Sequence, residues 1–381
     1  MSGLLLLALA AGPAFAAKAD PVQKEAAAII GQFYDLQLEK SLAAAKALER
    51  RHPTHPAGPF FKGIDLYLRL LVEESVSTST MRAFESEMDR CIDLAAKDGS
   101  LQPAAAEFYQ GGAYGYRARV ALMQGRWFDA VGSARRAVDH VKKSAELDPS
   151  FDDVYLGLGT YHYFMSDLPA AARPFASLLV GIRGDREKGL AELERATRSP
   201  VAGSEAAAVL AYIYGSRREG MPDKADALLA RLIKRHPHNA AYRVWRANWL
   251  GRRGRWKPAL AALDVDGGWM AGASASVLRA GRPHVLYAAA ELQLMAGNYK
   301  AAQARLKALD ALGIKDGLRE WIFLRKGNLQ DALGRRKTAL AYYRNTEGDA
   351  AEFARAYLEM PFPRGTEKLM PMHWPRFALP K

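Results

Sequence analysis

The chain holds one cysteine, Cys91, in 381 residues. That excludes an intrachain disulfide and any cysteine-built metal cluster, so the fold must be held by packing. A lone thiol beside Met88, Ile92 and Leu94 reads as a small buried apolar side chain. Acidic residues are also short in supply: 41 Asp and Glu stand against 54 Lys and Arg, for a formal charge of +13. Such an excess either favours anionic partners (phospholipid headgroups, acidic polysaccharide or acidic protein) or decorates a solvated surface. Nucleic acid is disfavoured by the export reading given below. Runs of β-branched residues are few, while Ala and Leu are abundant, which predicts a nearly all-helical chain.

Catalytic signatures are missing as well. There is no His-Glu-x-x-His motif, no phosphate-binding loop and no Gly-x-Ser-x-Gly elbow. Gly157-x-Gly159 lacks a third glycine and follows no strand. His162, between two tyrosines, reads as a packed helix residue. His52 with His55, and His236 with His238, border prolines and have no acidic or cysteine ligand nearby, so they read as loop pairs. The expectation is a protein with no catalytic residues, no metal and no cofactor.

What is present begins with Leu4 to Ala11, an apolar run followed by Ala14-Phe15-Ala16, a small-x-small cleavage site. Residues 1–16 therefore read as a signal peptide, although Met1-Ser2-Gly3 carries no side-chain charge. No cysteine follows the run, so a lipoprotein is not indicated. The expected location is outside the cytoplasm, periplasmic or associated with an outer membrane.

Residues 17–102 read as amphipathic helices with no clear repeat. Apolar residues recur at helical spacing from Asp20 to Arg51, and Pro53 and Pro56 stop that pattern. Gly58-Pro59 opens a helix carrying Phe60, Phe61, Ile64 and Leu68 on one face. Ser75–Thr80 is a polar break, and Met81–Lys97 is helical again.

From Pro103 a repeat becomes legible. Gly220 and Ala225 recur as Gly254 and Ala259, a spacing of 34 residues, which is the period of a helix–turn–helix solenoid unit. Ala118, Gly125, Ala130 and Ala137 occupy corresponding places, with Trp127 filling the aromatic place in the turn. Ala290, Gly297 and Ala302, then Gly327, Gly334 and Ala339, mark two further units. Between Gly159 and Gly189 the spacing is 30 residues where 12 is expected, so an insert is placed near 164–183. It is apolar and broken by Pro169 and Pro174, too interrupted to span a membrane. It reads as a cover over a core or groove, or as an apolar lip for a partner or a membrane surface. Val265–Arg282 reads as an irregular connection. Residues 361–381 hold five prolines and read as an extended strap that packs back through Met370, Met372, Trp374 and Phe377.

On these residues the chain resembles the tetratricopeptide-repeat superfamily, clearly from Ala104 to Tyr357. Gly112–Arg117, Tyr155–Tyr163 and Gly184–Gly189 are similar to a bacterial envelope subgroup, with a fainter likeness to tetratricopeptide family 39 and the inclusion-body-clearance proteins. The resemblance implies an all-α, superhelical α-solenoid of stacked helix–turn–helix repeats, spanning 103–360, whose concave face binds a protein or peptide without catalysis. Registering the units on their small residues places Arg119, Thr160, Tyr214, Asn248, Glu291 and Asn328 in one polar row along that face. Tyr163, Tyr287, Trp321 and Met295 are the expected apolar pockets beside it.

A second row is basic. Between Arg217 and Lys257 lie 12 Lys or Arg and 3 acidic residues. Arg217 and Arg218, then Arg252, Arg253 and Arg255, then Arg335, Arg336 and Lys337, fall at turns between paired helices. Stacked turns would make these a ridge, with Trp249 and Trp256 beside it. The reading is a partner-binding scaffold of the bacterial cell envelope. The alternative is a peripheral binder of anionic membrane or polysaccharide surfaces through the ridge.

Overall fold

The computed structural model describes residues 22–72, 77–168, 173–181, 183–314 and 317–363. Every regular element among them is helical. Residues 1–16, and the strap residues Met370, Met372, Trp374 and Phe377, lie outside the described residues. The chain divides after Leu228 into two compact units.

In the first unit α1 (Gln23–Tyr34), α2 (Leu38–Arg51), α3 (Ala57–Val72) and α4 (Thr78–Lys97) pack each on the next. They continue without a break into α5 (Pro103–Met123) and α6 (Trp127–Leu147). Local chemistry sets these ends. The side chain of Ser77 accepts the backbone N–H of Thr80 at 3.1 Å, a cap that starts α4. Pro103 occupies the first turn of α5, where its missing N–H costs nothing. Then follow α7 (Val154–Asp167), α8 (Arg173–Val180), α9 (Arg186–Ala196) and α10 (Gly203–Gly215). Asp185 caps α9 by accepting the N–H of Lys188 at 3.0 Å.

The boundary lies inside α11 (Pro222–Arg235), which buries Ala225, Leu228, Leu229 and Leu232 on a single stripe. The second unit continues with α12 (Ala240–Gly251), α13 (Trp256–Leu263), α14 (Ala275–Met295), α15 (Tyr299–Asp310), α16 (Leu318–Ala332), α17 (Arg336–Arg344) and α18 (Gly348–Glu359). These pack as the pairs α12–α13, α14–α15 and α16–α17, with α18 across the last pair. Each unit is thus an all-α stack of helix–turn–helix pairs.

Two residue types make the pairs. The turn between α12 and α13 passes through Gly254 at φ +70°, a left-handed conformation that costs glycine nothing. Gly125, Gly220, Gly297 and Gly334 hold the same place in their turns, all at positive φ. Small residues then let the paired helices close. A Cβ on Gly159 of α7 would fall 2.8 Å from the carbonyl oxygen of Gly189 in α9, and one on Gly189 would fall 2.6 Å from the backbone nitrogen of Tyr163. Backbone meets backbone there, and no larger residue fits without moving a helix.

The structure corrects two sequence expectations and adds a helix to the insert. Phe164–Asp167 belong to α7, so the inserted segment starts after it. The insert contains a helix of its own, α8, packed on α6 and α7. Arg135 and Lys142 of α6 donate to the carbonyls of Leu178 and Gly181 at its C-terminal end. In the second unit the connection after α13 is shorter than 265–282. A 3-10 turn over Gly268–Met270 buries Trp269, and α14 begins at Ala275 and runs through Pro283.

Candidate functional site

The eight residues expected to line an open groove are all buried, and six of them are engaged by the chain itself. In the first unit a guanidinium nitrogen of Arg119 donates to Glu205 Oε1 at 2.9 Å, and the hydroxyl of Tyr34 donates to Oε2 at 2.7 Å. The same guanidinium lies over the rings of Tyr116 and Tyr67, 5.1 and 5.8 Å from their centroids. Burial disfavours the Arg119 charge, but Glu205 beside it more than compensates and raises its pKa. Tyr163 donates to Glu219 at 2.9 Å, and Arg186 reaches the same carboxylate at 2.8 Å. Burial works against the Glu219 charge, yet Arg186 and Tyr163 together hold its carboxyl below the usual range. Tyr214 donates to Glu194. Thr160 is buried with no hydrogen-bond partner for its hydroxyl among the described residues.

The second unit follows the same logic. Arg325 donates through Nε to Glu291 at 3.1 Å and through a terminal nitrogen to Asn328 at 2.8 Å. Asn328 donates to the hydroxyl of Tyr343 at 3.1 Å, and Tyr343 donates to Asp331 at 2.9 Å. Asp331 also accepts the backbone N–H of Phe362 at 3.0 Å. Asn248 accepts from Arg252 at 2.9 Å. Tyr287 is buried, its hydroxyl unpartnered among the described residues. Of the expected pocket residues, Trp321 is buried and Met295 half-buried.

The expectation of a solvent-facing row is therefore corrected. In the first unit Tyr34, Arg119 and Glu205 bring α1, α5 and α10 together side chain to side chain. The polar groups serve as internal partners, because an unpaired polar group in such a place is costly.

The turn arginines separate into two kinds. Arg217, Arg253, Arg255, Arg335 and Lys337 are exposed. Arg218 is exposed but paired with Asp167 and laid over the Tyr163 ring. The guanidinium of Arg253 lies 3.7 Å from the centroid of Trp249. Arg252 is exposed too, though partial burial of its guanidinium lowers its pKa. Arg336 is drawn away from the predicted ridge: it donates to Asp331 at 2.9 Å and to the carbonyl of Leu358 in α18 at 2.8 Å, holding α17 to α18 with its side chain half-buried.

One concave site in the first unit was not anticipated. A cleft of about 330 Å³ lies between α4, α5 and α6. Phe84, Val120 and Ala121 form its floor, and Glu85, Arg117, Arg126, Asp129 and Arg136 its polar rim. Phe128 stands at its edge with 95% of its surface exposed, beside Trp127 at 61%. These are the most exposed aromatic side chains among the described residues. Arg126 bridges the mouth, donating to Asp129 at 3.1 Å and to Glu85 at 3.4 Å. Trp127 does occupy the turn, as expected, but points outward instead of filling it. The overlooked signal was an adjacent Trp-Phe pair opening a helix whose next turn carries Gly132.

No group of three or more His, Cys, Asp or Glu among the described residues could hold a metal ion. No described helix is long and apolar enough to cross a membrane. His162 is buried and bonded to Glu192 at 2.5 Å.

No known protein-family profile matches the chain, and no curated protein matches it. Among solved structures, the human IFIT1 dimer with m7Gppp-AAAA is similar at 13% identity and a TM-score of 0.39, covering 89% of this chain and 81% of that one. A likeness of that size says nothing about ligand.

Proposed function

We propose that this protein is a non-catalytic repeat scaffold that binds a protein or peptide partner in the bacterial cell envelope. The observation that carries the reading is the exposure of Trp127 and Phe128 at the mouth of the α4–α5–α6 cleft. Two large aromatic side chains held in water cost apolar hydration free energy unless a partner covers them. Aromatic residues of this kind are what interface centres are built from. The envelope setting is supported by the apolar run and Ala14-Phe15-Ala16 at the start of the sequence. The resemblance to tetratricopeptide repeats agrees with a binding role.

The test is a pull-down from envelope extract with the mature chain, at low and high salt, set beside the double variant Trp127→Ala, Phe128→Ala. One protein held at high salt by the parent and lost by the variant is the expected result. Equal retention by both would refute the site. N-terminal sequencing of the exported chain should begin at Ala17; a chain starting at Met1 would refute the export reading.

A second reading, docking on an anionic membrane or polysaccharide surface, is supported by the exposed Arg217, Arg253, Arg255 and Arg335. Binding of that kind should collapse with added salt.

A further inference from the structure

The cleft between α4, α5 and α6 contains a residue that packing does not require. Gly132 lies inside α6, where glycine costs about 1 kcal/mol relative to alanine. A Cβ placed on it would meet nothing within 4 Å. Gly111 of α5 makes the contrast: a Cβ there would fall 2.8 Å from a methyl of Val141. Gly132 thus opens a dent that nothing in the fold fills.

The dent is flanked in a particular way. Phe128 precedes Gly132 by four residues and Arg136 follows by four, so all three share one face of α6. The apolar floor of Phe84, Val120 and Ala121 lies across the cleft from them. The rim charges pair unevenly. Both rim carboxylates, Glu85 and Asp129, are taken by Arg126, and Arg117 is taken by Asp89 at 2.5 Å. Arg136 meets no carboxylate among the described residues. Its guanidinium is held over the ring of Tyr114, 5.4 Å from the centroid, and Tyr114 is stacked on His140 at 5.5 Å. His140 is in turn fixed by Glu107 at 2.6 Å. The cleft therefore offers an apolar seat beside a positioned guanidinium with no carboxylate partner of its own among the described residues.

We infer that this cleft takes a segment of a partner protein carrying a bulky apolar side chain next to a carboxylate. The apolar group sits in the dent over Gly132, between Phe128 and the floor. The carboxylate meets Arg136, a charge-assisted contact of the kind that fixes orientation. This rests on reading the chain as a partner-binding scaffold and states what the scaffold selects.

The test uses the full chain on a peptide array that pairs each bulky apolar residue with Asp, Asn or Lys at the neighbouring place. Peptides joining an apolar residue to Asp should be retained at least tenfold better than their Lys counterparts. Gly132→Leu places its Cβ where no atom lies within 4 Å, so it should keep the helical circular-dichroism spectrum and melt no lower than the parent, leucine being the better helix former, yet lose that retention. Arg136→Glu should reverse the preference from Asp to Lys. Unchanged binding by either variant, or no preference for Asp in the parent, would overturn the inference. Phosphatidylglycerol vesicles bound in place of peptides would overturn it too, by making the cleft a lipid contact. An envelope protein captured equally by the parent and by Gly132→Leu would leave the scaffold reading standing while removing this cleft from it. If the parent captures nothing and retains no peptide, both fail.

Discussion

Asp153 sits at the start of α7, fully buried, with its two oxygens in unlike surroundings. Oδ1 accepts the hydroxyl of Ser199 and the backbone N–H of Ala202, the latter at 2.7 Å. Oδ2 meets no donor among the described residues. Burial dominates, and pushes the pKa from its ordinary 3.8 up to about 7 despite those two hydrogen bonds. A carboxyl raised in the folded state contributes stability that is full below its unfolded pKa and is lost as pH rises through the folded one. In that window the folded chain holds a proton the unfolded chain has released, so stability falls by about 1.4 kcal/mol per pH unit. From pH 5 to pH 7 the loss from this one group is about 2 kcal/mol, because the slope halves as the folded carboxyl reaches its own pKa. Asp153→Asn cannot titrate and should not show it. Urea unfolding of both proteins at the two pH values makes the comparison. Glu49, Glu107 and Glu219 are held below their ordinary range by neighbouring cations and contribute stability that is lost on acidification, so only the difference between parent and variant isolates Asp153. Parallel pH dependence in the two proteins would refute the assignment.

Three other outcomes follow from the packing. Gly159→Val should destabilise the first unit by roughly 1–3 kcal/mol or more, because its side chain enters the backbone of α9; an unchanged melting temperature would show that α7 and α9 are not in contact. Arg325→Met should cost roughly 3–5 kcal/mol by leaving Glu291 buried beside a side chain without charge, while the double variant with Glu291→Leu should regain most of it in a denaturant titration. Cys91 is buried, and burial pushes its thiol well above the usual range, so a thiol reagent such as DTNB should label it only at the rate of unfolding; rapid labelling of the folded chain would contradict its place in the core.

The turn glycines and the small residues at the helix crossings were legible in the sequence because each answers a local demand. Gly220 and Gly254 need only their own backbone conformation, and Gly159 with Gly189 only the distance between two helices. The fate of the polar row was not legible. Spacing shows that Arg119 shares a face with its neighbours, but not that Glu205, 86 residues later, arrives opposite it. A helical pattern gives the face and leaves open what the face meets. The same limit hid the cleft. Phe128, Gly132 and Arg136 form a stripe on α6 that a wheel displays, whereas the floor comes from α4 and α5. Arg336 was misplaced for a related reason: Asp331 and the Leu358 carbonyl capture it from outside its own turn.

The bond from Tyr34 to Glu205 joins residues 171 apart in the chain. In a linear repeat array each element needs only its neighbours, so folding can begin anywhere and the ends can fray alone. Here α1 and α10 share one acceptor with Arg119, and the ring they close cannot form until the intervening helices have been made. Such a contact raises the mean sequence separation and slows folding. It also ties the first helix to the middle of the chain as a cooperative element. Deleting α1 and α2 would remove one donor to a buried carboxylate in α10, four helix pairs along the chain. The first unit should then lose stability at α10, and hydrogen exchange there should quicken, far along the chain from the cut.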